Sequence, residues 1–213
     1  METIRLTSSN IQECATQAAE VMQNGGVIIF PTDTLYGLGV DAFSNAAVDK
    51  IFSIKGRDEG KPIHCVVRDM AAADEIGQMN TFAHLIGKQH FPGPLTLIVK
   101  KKAILETGIV RGIETIGIRV PDNLFCLELA SHFGRPYTAT SANKSGSAPE
   151  RSIENILEQL GKSAAQVDLI VDAGELPESK PSTVVDVSGN EPFILREGAI
   201  DAAEIWDAVK QDY

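Results

Sequence analysis

Apolar residues recur along the chain in two spacings, one typical of helices and the other of buried strands. A return every three or four residues predicts helical segments. These segments cover about residues 11–24, 45–55, 69–78, 81–90, 123–133, 152–161 and 201–210. Either Ser9 or Asn10 is placed to cap the first helix, and Gly25 and Gly26 are placed to end it.

Short apolar runs between these helices predict strands. The runs are GVIIFPT, IHCVV, LTLIVKK, IGIRV, YTAT, DLIVDAG, STVVDVS and PFILREG. We expect the last two to pair across the connection GNE. Because most runs are uniformly apolar, they indicate a sheet that helices cover on both faces. The pattern predicts an α/β fold with one twisted, mostly mixed sheet, in a single domain spanning residues 1–213 with its core at about 10–200.

Composition narrows the class of protein. The chain has 213 residues, 43% of them apolar, which suits one globular domain. No apolar run approaches the roughly 20 residues that span a bilayer, and no secretory signal is visible at the start. The three cysteines and four histidines show no metal-site or disulfide spacing. We therefore expect a cytoplasmic protein without a membrane segment or a protein metal site.

A net charge of -10 argues against broad binding of nucleic acids and makes any cluster of positive charge informative. The stretch KGRDEGKP, residues 55–62, places Lys55, Arg57 and Lys61 close together. Glycine and proline predict a loop there, with little core burial of its side chains. The loop is either a solvated turn or a binding segment for an anion, and it lacks the P-loop pattern.

The stretch FPTDTLYGLGVDA, residues 30–42, follows the predicted strand end with Thr32, Asp33 and Thr34. Ligands of open α/β sheets bind outside such strand ends, and Gly37 and Gly39 would allow close backbone approach. The alternative interpretation is a turn held by hydroxyl and carboxylate hydrogen bonds.

Two further stretches place polar groups at strands. In TIGIRVPD, Arg119 lies in an apolar strand, where its charge must pair with an acid or face a cavity. In TATSANKSG, Ser141, Asn143 and Ser145 follow a strand, where hydroxyls, an amide and backbone N–H groups can surround an anion. A polar turn is the alternative. Ser141 lacks the Gly-x-Ser-x-Gly pattern of a hydrolase nucleophile.

Six stretches in order resemble the YrdC-like family, the threonylcarbamoyl-AMP synthases. They are FPTDTLYGLG, Lys55-Gly56-Arg57, FPGPLTLIV, IGIRVPD, TSANKSG, and STVVDVSG followed by ILREGAI, over roughly residues 15–200. The resemblance implies a twisted α/β fold around a positively charged concave cavity. It also implies an enzyme that uses L-threonine, bicarbonate and ATP with Mg²⁺, and releases pyrophosphate. A separate threonylcarbamoyl transferase complex would pass the product to tRNA.

The resemblance also implies roles for individual residues. The nucleotide would be bound by Lys55, Arg57, Lys61, Thr115, Ser141, Asn143, Ser145 and Arg196, with the first two as catalytic residues. Threonine would be bound by Thr32, Thr34, Arg119 and Ser182. Mg²⁺ would bridge phosphates and need few protein ligands. Because the attacking carbamate is already an anion, no catalytic His or Cys is required.

Three positions depart from the family pattern. Asp58 stands where Pro is usual, Lys61 where many members have Asn, and Val66 where many have His, with His64 two positions early. These departures leave a YciO-like paralogue with weak or different activity as an alternative. A second alternative is an RNA-binding or ribosome-maturation protein that contacts tRNA or double-stranded RNA. A third is a carbamoyl-adenylate former of the hydrogenase-maturation type. The extra C-terminal domain of longer members is not expected.

Overall fold

The structure, a computed structural model, describes residues 1–56 and 62–210. Arg57, Asp58 and Lys61 therefore lie outside the described residues. The helices are α1 Ile11–Gln23, α2 Asn45–Lys55, α3 Met70–Ile76, α4 Thr81–His90, α5 Leu124–Phe133, α6 Ile153–Leu160 and α7 Ala202–Lys210. None of these helices is long and apolar enough to cross a membrane.

Strands alternate with the helices along most of the chain. They are β1 Glu2–Arg5, β2 Ile28–Pro31, β3 Tyr36–Gly39, β4 His64–Val66, β5 Gly77–Gln78, β6 Leu95–Lys101, β7 Thr115–Arg119, β8 Tyr137–Thr138, β9 Thr140–Ser141, β10 Leu169–Asp172, β11 Thr183–Asp186 and β12 Phe193–Arg196. The predicted helices and strands are all present. The hairpin-like pairing of β11 with β12 is confirmed as antiparallel.

The cap of α1 differs from the prediction. Asn10 occupies the cap position, but its side chain makes no hydrogen bond to the helix. Instead, its Oδ1 accepts from the Thr7 backbone N–H at 2.8 Å, and its Nδ2 donates to the Arg5 carbonyl at 2.8 Å. Asn10 thus fixes the turn that leads from β1 into α1. The helix ends as predicted, because Gly25 adopts a left-handed backbone with φ 76°.

The described strands form two sheets, so the prediction of one sheet was wrong. The first has the order β1-β10-β2-β3-β9, with parallel pairing among its first three strands and antiparallel pairing in the rest. The second has the order β12-β11-β6-β7-β4-β8 and mixes both directions, with β5 beside β6. The mixed α/β fold is confirmed.

The predicted strand YTAT is divided between the two sheets. Tyr137–Thr138 pairs with β4 of the second sheet, and Thr140–Ser141 pairs with β3 of the first. The hydroxyl of Thr138 donates to the Leu38 carbonyl at 3.1 Å and accepts from the Val40 N–H at 3.1 Å. This crossover holds the edges of the two sheets together at one point.

Three strands were missed by sequence reasoning, for different reasons. Gly77–Gln78 was predicted as the end of the helix at 69–78, whereas it pairs with β6. Glu2–Arg5 contains a single partly buried apolar residue and pairs through its backbone with β10. Tyr36–Gly39 is fully buried, but its two glycines are typical of a turn rather than a strand.

The glycines of β3 make room for the neighbouring strand β2. A Cβ at Gly39 would lie 2.8 Å from Phe30 Cε1 and 2.9 Å from Ile28 Cγ1, and one at Gly37 would lie 3.1 Å from Phe30 Cζ. These glycines therefore serve internal packing, and their predicted close approach to a ligand stays a prediction. Phe30 belongs to the apolar cluster in which α1 and α5 cover the first sheet.

We predict that Gly39→Ala lowers the free energy of unfolding by about 1–3 kcal/mol, because the added methyl overpacks the β2–β3 pair. Urea denaturation measures the change. Gly189→Ala is the matched control, since a Cβ there meets no atom within 4 Å, and we expect it to change stability by less than about 0.5 kcal/mol. Equal effects of the two substitutions would contradict the packing explanation.

Candidate functional site

A cavity of about 250 Å³ opens between the two sheets, next to the β8–β9 crossover. Both sheets supply polar residues to its wall. Seven of the predicted site residues line it: Thr32, Thr34, Thr115, Arg119, Ser141, Ser182 and Arg196. The stretches that lie far apart in sequence are thus brought together.

The other predicted site residues lie outside the described cavity wall. Lys55, Asn143 and Ser145 pack behind Ser141, as described below. Arg57 and Lys61 lie outside the described residues. Their assigned roles stay predictions.

Thr32 holds the turn between β2 and β3. Its hydroxyl donates to the Leu35 carbonyl at 2.8 Å and accepts from the N–H groups of Thr34 and Leu35, each at 3.1 Å. The turn interpretation of this stretch is therefore correct for Thr32. The same turn aims Thr34 and Asp33 towards the second sheet.

Arg119 forms a buried ion pair with Asp33. Its Nη2 lies 2.5 Å from Asp33 Oδ1 and donates to Thr34 Oγ1 at 3.0 Å. The two charged side chains are only 5% and 10% exposed. Asp33 Oδ2 also accepts from the Asp122 N–H at 3.2 Å, so the carboxylate is held from both sides.

Both sequence-based interpretations of Arg119 therefore apply, because it pairs with an acid and also lines the cavity. Within the described residues, its buried Nε has no hydrogen-bond partner. A buried donor without an acceptor is costly unless a ligand or water completes it. Arg119 thus keeps at least its Nε–H for a cavity occupant.

Arg196 reaches the opposite part of the wall. Its Nε and Nη2 donate to the Ser182 carbonyl at 3.1 and 2.9 Å, and Nη2 also lies 3.2 Å from Ser182 Oγ. Burial lowers the pKa of Arg196, and the positive charge of Arg119 lowers it further. The two guanidinium groups repel each other electrostatically, so an anion between them would be attracted to both.

Thr96 was missed by sequence reasoning. It is 2% exposed, lines the cavity, and its hydroxyl lies 2.9 Å from that of Ser182. Its stretch, LTLIV, was interpreted only as a strand. A single polar residue among the apolar residues 95–99 was the available signal.

The histidine of the KPIHCVV stretch faces the cavity, whereas the family's usual histidine position does not. His64 lines the cavity, while Val66 is fully buried in the apolar cluster with Phe125 and Leu129. Gly117 on the neighbouring strand leaves room, because a Cβ there would lie 2.9 Å from His64 Cβ.

Lys55 is buried, so the expectation of an exposed loop lysine was wrong. It is the last residue of α2 and is 3% exposed. Its ammonium donates to the Ser141 carbonyl and, at 2.9 Å each, to the carbonyl and Oδ1 of Asn143. Its own carbonyl accepts from the Ser145 N–H at 2.8 Å. Lys55 therefore fixes the loop that carries Ser141 to the cavity.

The thiols of the described core are not nucleophiles. Burial raises the pKa of Cys65 and of Cys126 to about 12 each, and burial also raises that of Cys14. They stay protonated near neutral pH. Among the described residues, no group of three or more His, Cys, Asp or Glu side chains could hold a metal ion.

Known proteins are similar to this chain in sequence and in fold. A family model for Sua5, YciO and YrdC, described as telomere recombination, matches residues 20–198. Threonylcarbamoyl-AMP synthase of Bacillus subtilis is 35% identical over 191 residues, which are 89% of this chain and 54% of that protein. This chain therefore spans about half the length of that relative.

Two solved structures are also similar. Sua5 of P. abyssi, complexed with L-threonine, has a TM-score of 0.88 and 29% identity, covering 99% of this chain and 61% of that chain. YciO of E. coli has a TM-score of 0.82 and 31% identity, covering 96% of this chain and 98% of that chain. Both a longer and an equally long relative thus share the architecture.

We predict that Lys55→Met lowers the free energy of unfolding by about 1–3 kcal/mol, because it removes the buried ammonium that donates to three oxygens of Ser141 and Asn143. Thermal or urea unfolding measures the loss. Lys50→Met is the matched control on the same helix, where the exposed ammonium donates to the Gly25 carbonyl, and we expect a change of less than about 0.5 kcal/mol. Unchanged stability of Lys55→Met would contradict the positioning role.

For the buried ion pair, we predict that Asp33→Asn lowers the free energy of unfolding by about 3–5 kcal/mol, because it leaves the Arg119 charge unpaired. The double variant Asp33→Asn/Arg119→Met should be more stable than Asp33→Asn alone. Asp49→Asn, which breaks an exposed pair with Arg111, should cost less than about 1 kcal/mol. A double variant as unstable as the sum of its singles would rule out the coupling.

Proposed function

Since the chain belongs to the Sua5/YciO/YrdC family, we propose that it is an L-threonylcarbamoyladenylate synthase. Relatives named threonylcarbamoyl-AMP synthase support an enzyme of the transferase class. The finer proposal is a nucleotidyltransferase that makes threonylcarbamoyl-AMP and pyrophosphate from L-threonine, bicarbonate and ATP. The observation that carries it is the convergence of Arg119 and Arg196 with hydroxyls from both sheets on one cavity.

The proposed chemistry needs positive charge more than it needs a strong base. The threonine amine forms a bond to the carbon of bicarbonate, water leaves, and a carbamate results. A carbamate oxygen then attacks the α-phosphorus of ATP while the bond from that phosphorus to the β-phosphate oxygen breaks. Pyrophosphate leaves with the bonding electrons. Each reactant carries at least one anionic group, so cations and oriented donors that hold these groups together supply most of the rate.

The described residues divide between the two substrates in this proposal. Arg119 and Thr34 bind the carboxylate of threonine, and the Asp33 pair keeps the guanidinium in place. Arg196, Thr115 and Ser141 face the nucleotide. Thr32 acts through the turn, and Ser182 lies between the two arginines.

Lys55, Asn143 and Ser145 support the nucleotide side by holding the loop that presents Ser141. Arg57 and Lys61 carry their nucleotide-binding assignment from the family resemblance alone. Arg57 remains a catalytic residue in the proposal, and Lys55 positions the loop that carries Ser141.

The size and lining of the cavity constrain where the nucleotide lies. Ligand sites commonly measure about 300–1,000 Å³, and this cavity of about 250 Å³ is smaller. We infer that the carboxylated threonine and the attacked phosphate occupy it and that the rest of the nucleotide extends out of it. Among the described lining residues there is no carboxylate, so Mg²⁺ enters as part of the MgATP substrate, held by phosphate oxygens and water.

A downstream threonylcarbamoyl transferase complex would consume the product, and tRNA or double-stranded RNA contact remains part of the proposal. We also keep the single-domain organisation as a proposal. The second candidate function is that of a YciO-like paralogue. It is favoured by the near-complete mutual coverage with E. coli YciO and by the absence of His at position 66.

Pyrophosphate release tests the proposed function. We predict release that requires ATP, L-threonine and bicarbonate, with omission of any one abolishing it. Arg119→Lys should raise the KM for threonine by about tenfold or more while the KM for ATP changes little, because Lys cannot reproduce the planar fork. Release that is independent of threonine would favour the paralogue.

A further inference from the structure

A pair of buried hydroxyls crosses the cavity floor next to Arg196. Thr96 Oγ1 and Ser182 Oγ lie 2.9 Å apart, and each residue is 2% exposed. Arg196 Nη2 lies 3.2 Å from Ser182 Oγ. All three residues line the cavity.

Arg119 lies on the side of the hydroxyl pair that is opposite Arg196. Strands β6 and β7 pair in antiparallel register, with Leu97 opposite Ile118. Thr96 and Arg119 are the next residues on these two strands, and both line the cavity. The polar groups along the floor therefore occur in the order Arg196, Ser182, Thr96, Arg119.

The hydroxyl pair has a proton to spare. Two hydroxyls carry two protons, and the bond between them uses one, whichever of them donates. In the part of the chain that the structure describes, neither hydroxyl has another acceptor, and the buried Nε of Arg119 has none either. Donors on neighbouring strands of the cavity lining thus lack an acceptor among the described residues, which indicates an acceptor supplied by a ligand.

We propose that Thr96 and Ser182 bind the one-carbon carboxylate that comes from bicarbonate. The inference rests on the proposed function. In the carboxylated substrate, the groups follow one another as threonine carboxylate, amine nitrogen, carbamate carbon and then the attacked α-phosphate. The floor repeats this order, with Arg119 at the threonine carboxylate, the hydroxyl pair at the carbamate and Arg196 at the phosphate.

The subsite acts by binding and orientation. A hydroxyl donates a hydrogen bond to one carbamate oxygen, and the other oxygen is then free to attack phosphorus. The carbamate loses no proton in that step. The guanidinium groups on both sides favour the anionic carbamate over free threonine and carbon dioxide. Thr96 is therefore a substrate-binding residue. Its substrate is bicarbonate, to which the sequence analysis assigned no residue.

The test is the KM for bicarbonate in Thr96→Val, measured by pyrophosphate release in CO₂-free buffer titrated with sodium bicarbonate at saturating threonine and ATP. Valine keeps the shape of threonine and removes only the hydroxyl. We expect the KM for bicarbonate to rise by about tenfold, equivalent to about 1.4 kcal/mol. The KM values for threonine and ATP should change by less than about twofold. Thr96→Ser, which keeps the hydroxyl, should stay close to the native KM.

Thr138→Val is the matched control, because Thr138 is fully buried and hydrogen-bonded but does not line the cavity. We expect it to lower stability without a selective change in the KM for bicarbonate. Should Thr96→Val fail to fold, Ser182→Ala removes the partner hydroxyl instead, and we expect the same rise in the KM for bicarbonate.

Two failures are distinguishable. If the native protein releases no pyrophosphate in response to threonine and bicarbonate, the proposed function is wrong and the subsite falls with it. If the native protein is active and folded Thr96→Val or Ser182→Ala has an unchanged KM for bicarbonate, only the subsite is wrong. A uniform change of all three KM values, or no recovery in Thr96→Ser, would assign the hydroxyl pair a merely structural role.

Discussion

A guanidinium group removed from water needs a carboxylate beside it, and the cavity of this protein is built around one such pair. Asp33 belongs to the turn that ends β2 in the first sheet, and Arg119 ends β7 in the second. Their 2.5 Å contact therefore ties the two sheets beside the cavity between them. Such pairs add little net stability, because desolvation offsets the attraction. Their contribution here is position, since the carboxylate and Thr34 leave Arg119 one orientation.

The same constraint explains how an acidic chain keeps cations at a cavity. Asp33 accepts from Arg119 and from the Asp122 N–H, so its charge is directed away from the lining. Arg196 is held by the Ser182 carbonyl, a neutral acceptor, and it keeps its charge uncompensated among the described lining residues. Its lowered pKa reflects burial first and Arg119 second. A bound anion reduces the cost of burying the Arg196 charge and the repulsion between Arg196 and Arg119. Ligand binding therefore also relieves this repulsion.

Local sequence determined most of the elements but not their assembly. The apolar spacing of Ala47, Val48 and Ile51 predicts α2 correctly, because a helix depends on neighbours three or four residues apart. The burial of Lys55 could not be predicted, since its acceptors on Asn143 lie 88 residues away. For the same reason, YTAT was predicted as one strand although its two halves pair with different sheets.

The residues of the candidate site that belong to short sequence motifs could be predicted. The motifs identified Arg119, Ser141 and Arg196 as parts of one site, and the structure places all three on one cavity wall. Thr96 carries no such motif. Its significance comes from a hydroxyl 86 residues away, that of Ser182. A polar side chain inside an apolar strand raises the question of its partner, but only the paired sheets answer it.

The protonation states around the cavity favour catalysis by position over catalysis by proton transfer. Burial raises the pKa of Tyr36 to about 12, as it does for Cys65 and Cys126, so these groups stay neutral below that pH. Tyr36 is further engaged with the Gly174 carbonyl at 2.7 Å. Apart from His64, the side chains along the described wall that can carry charge or donate hydrogen bonds are guanidinium groups and hydroxyls, whose charges do not change near neutral pH. A wall of this kind holds anions in register, and the reacting oxygen must arrive already deprotonated. A carbamate meets that requirement, whereas a neutral alcohol or amine does not.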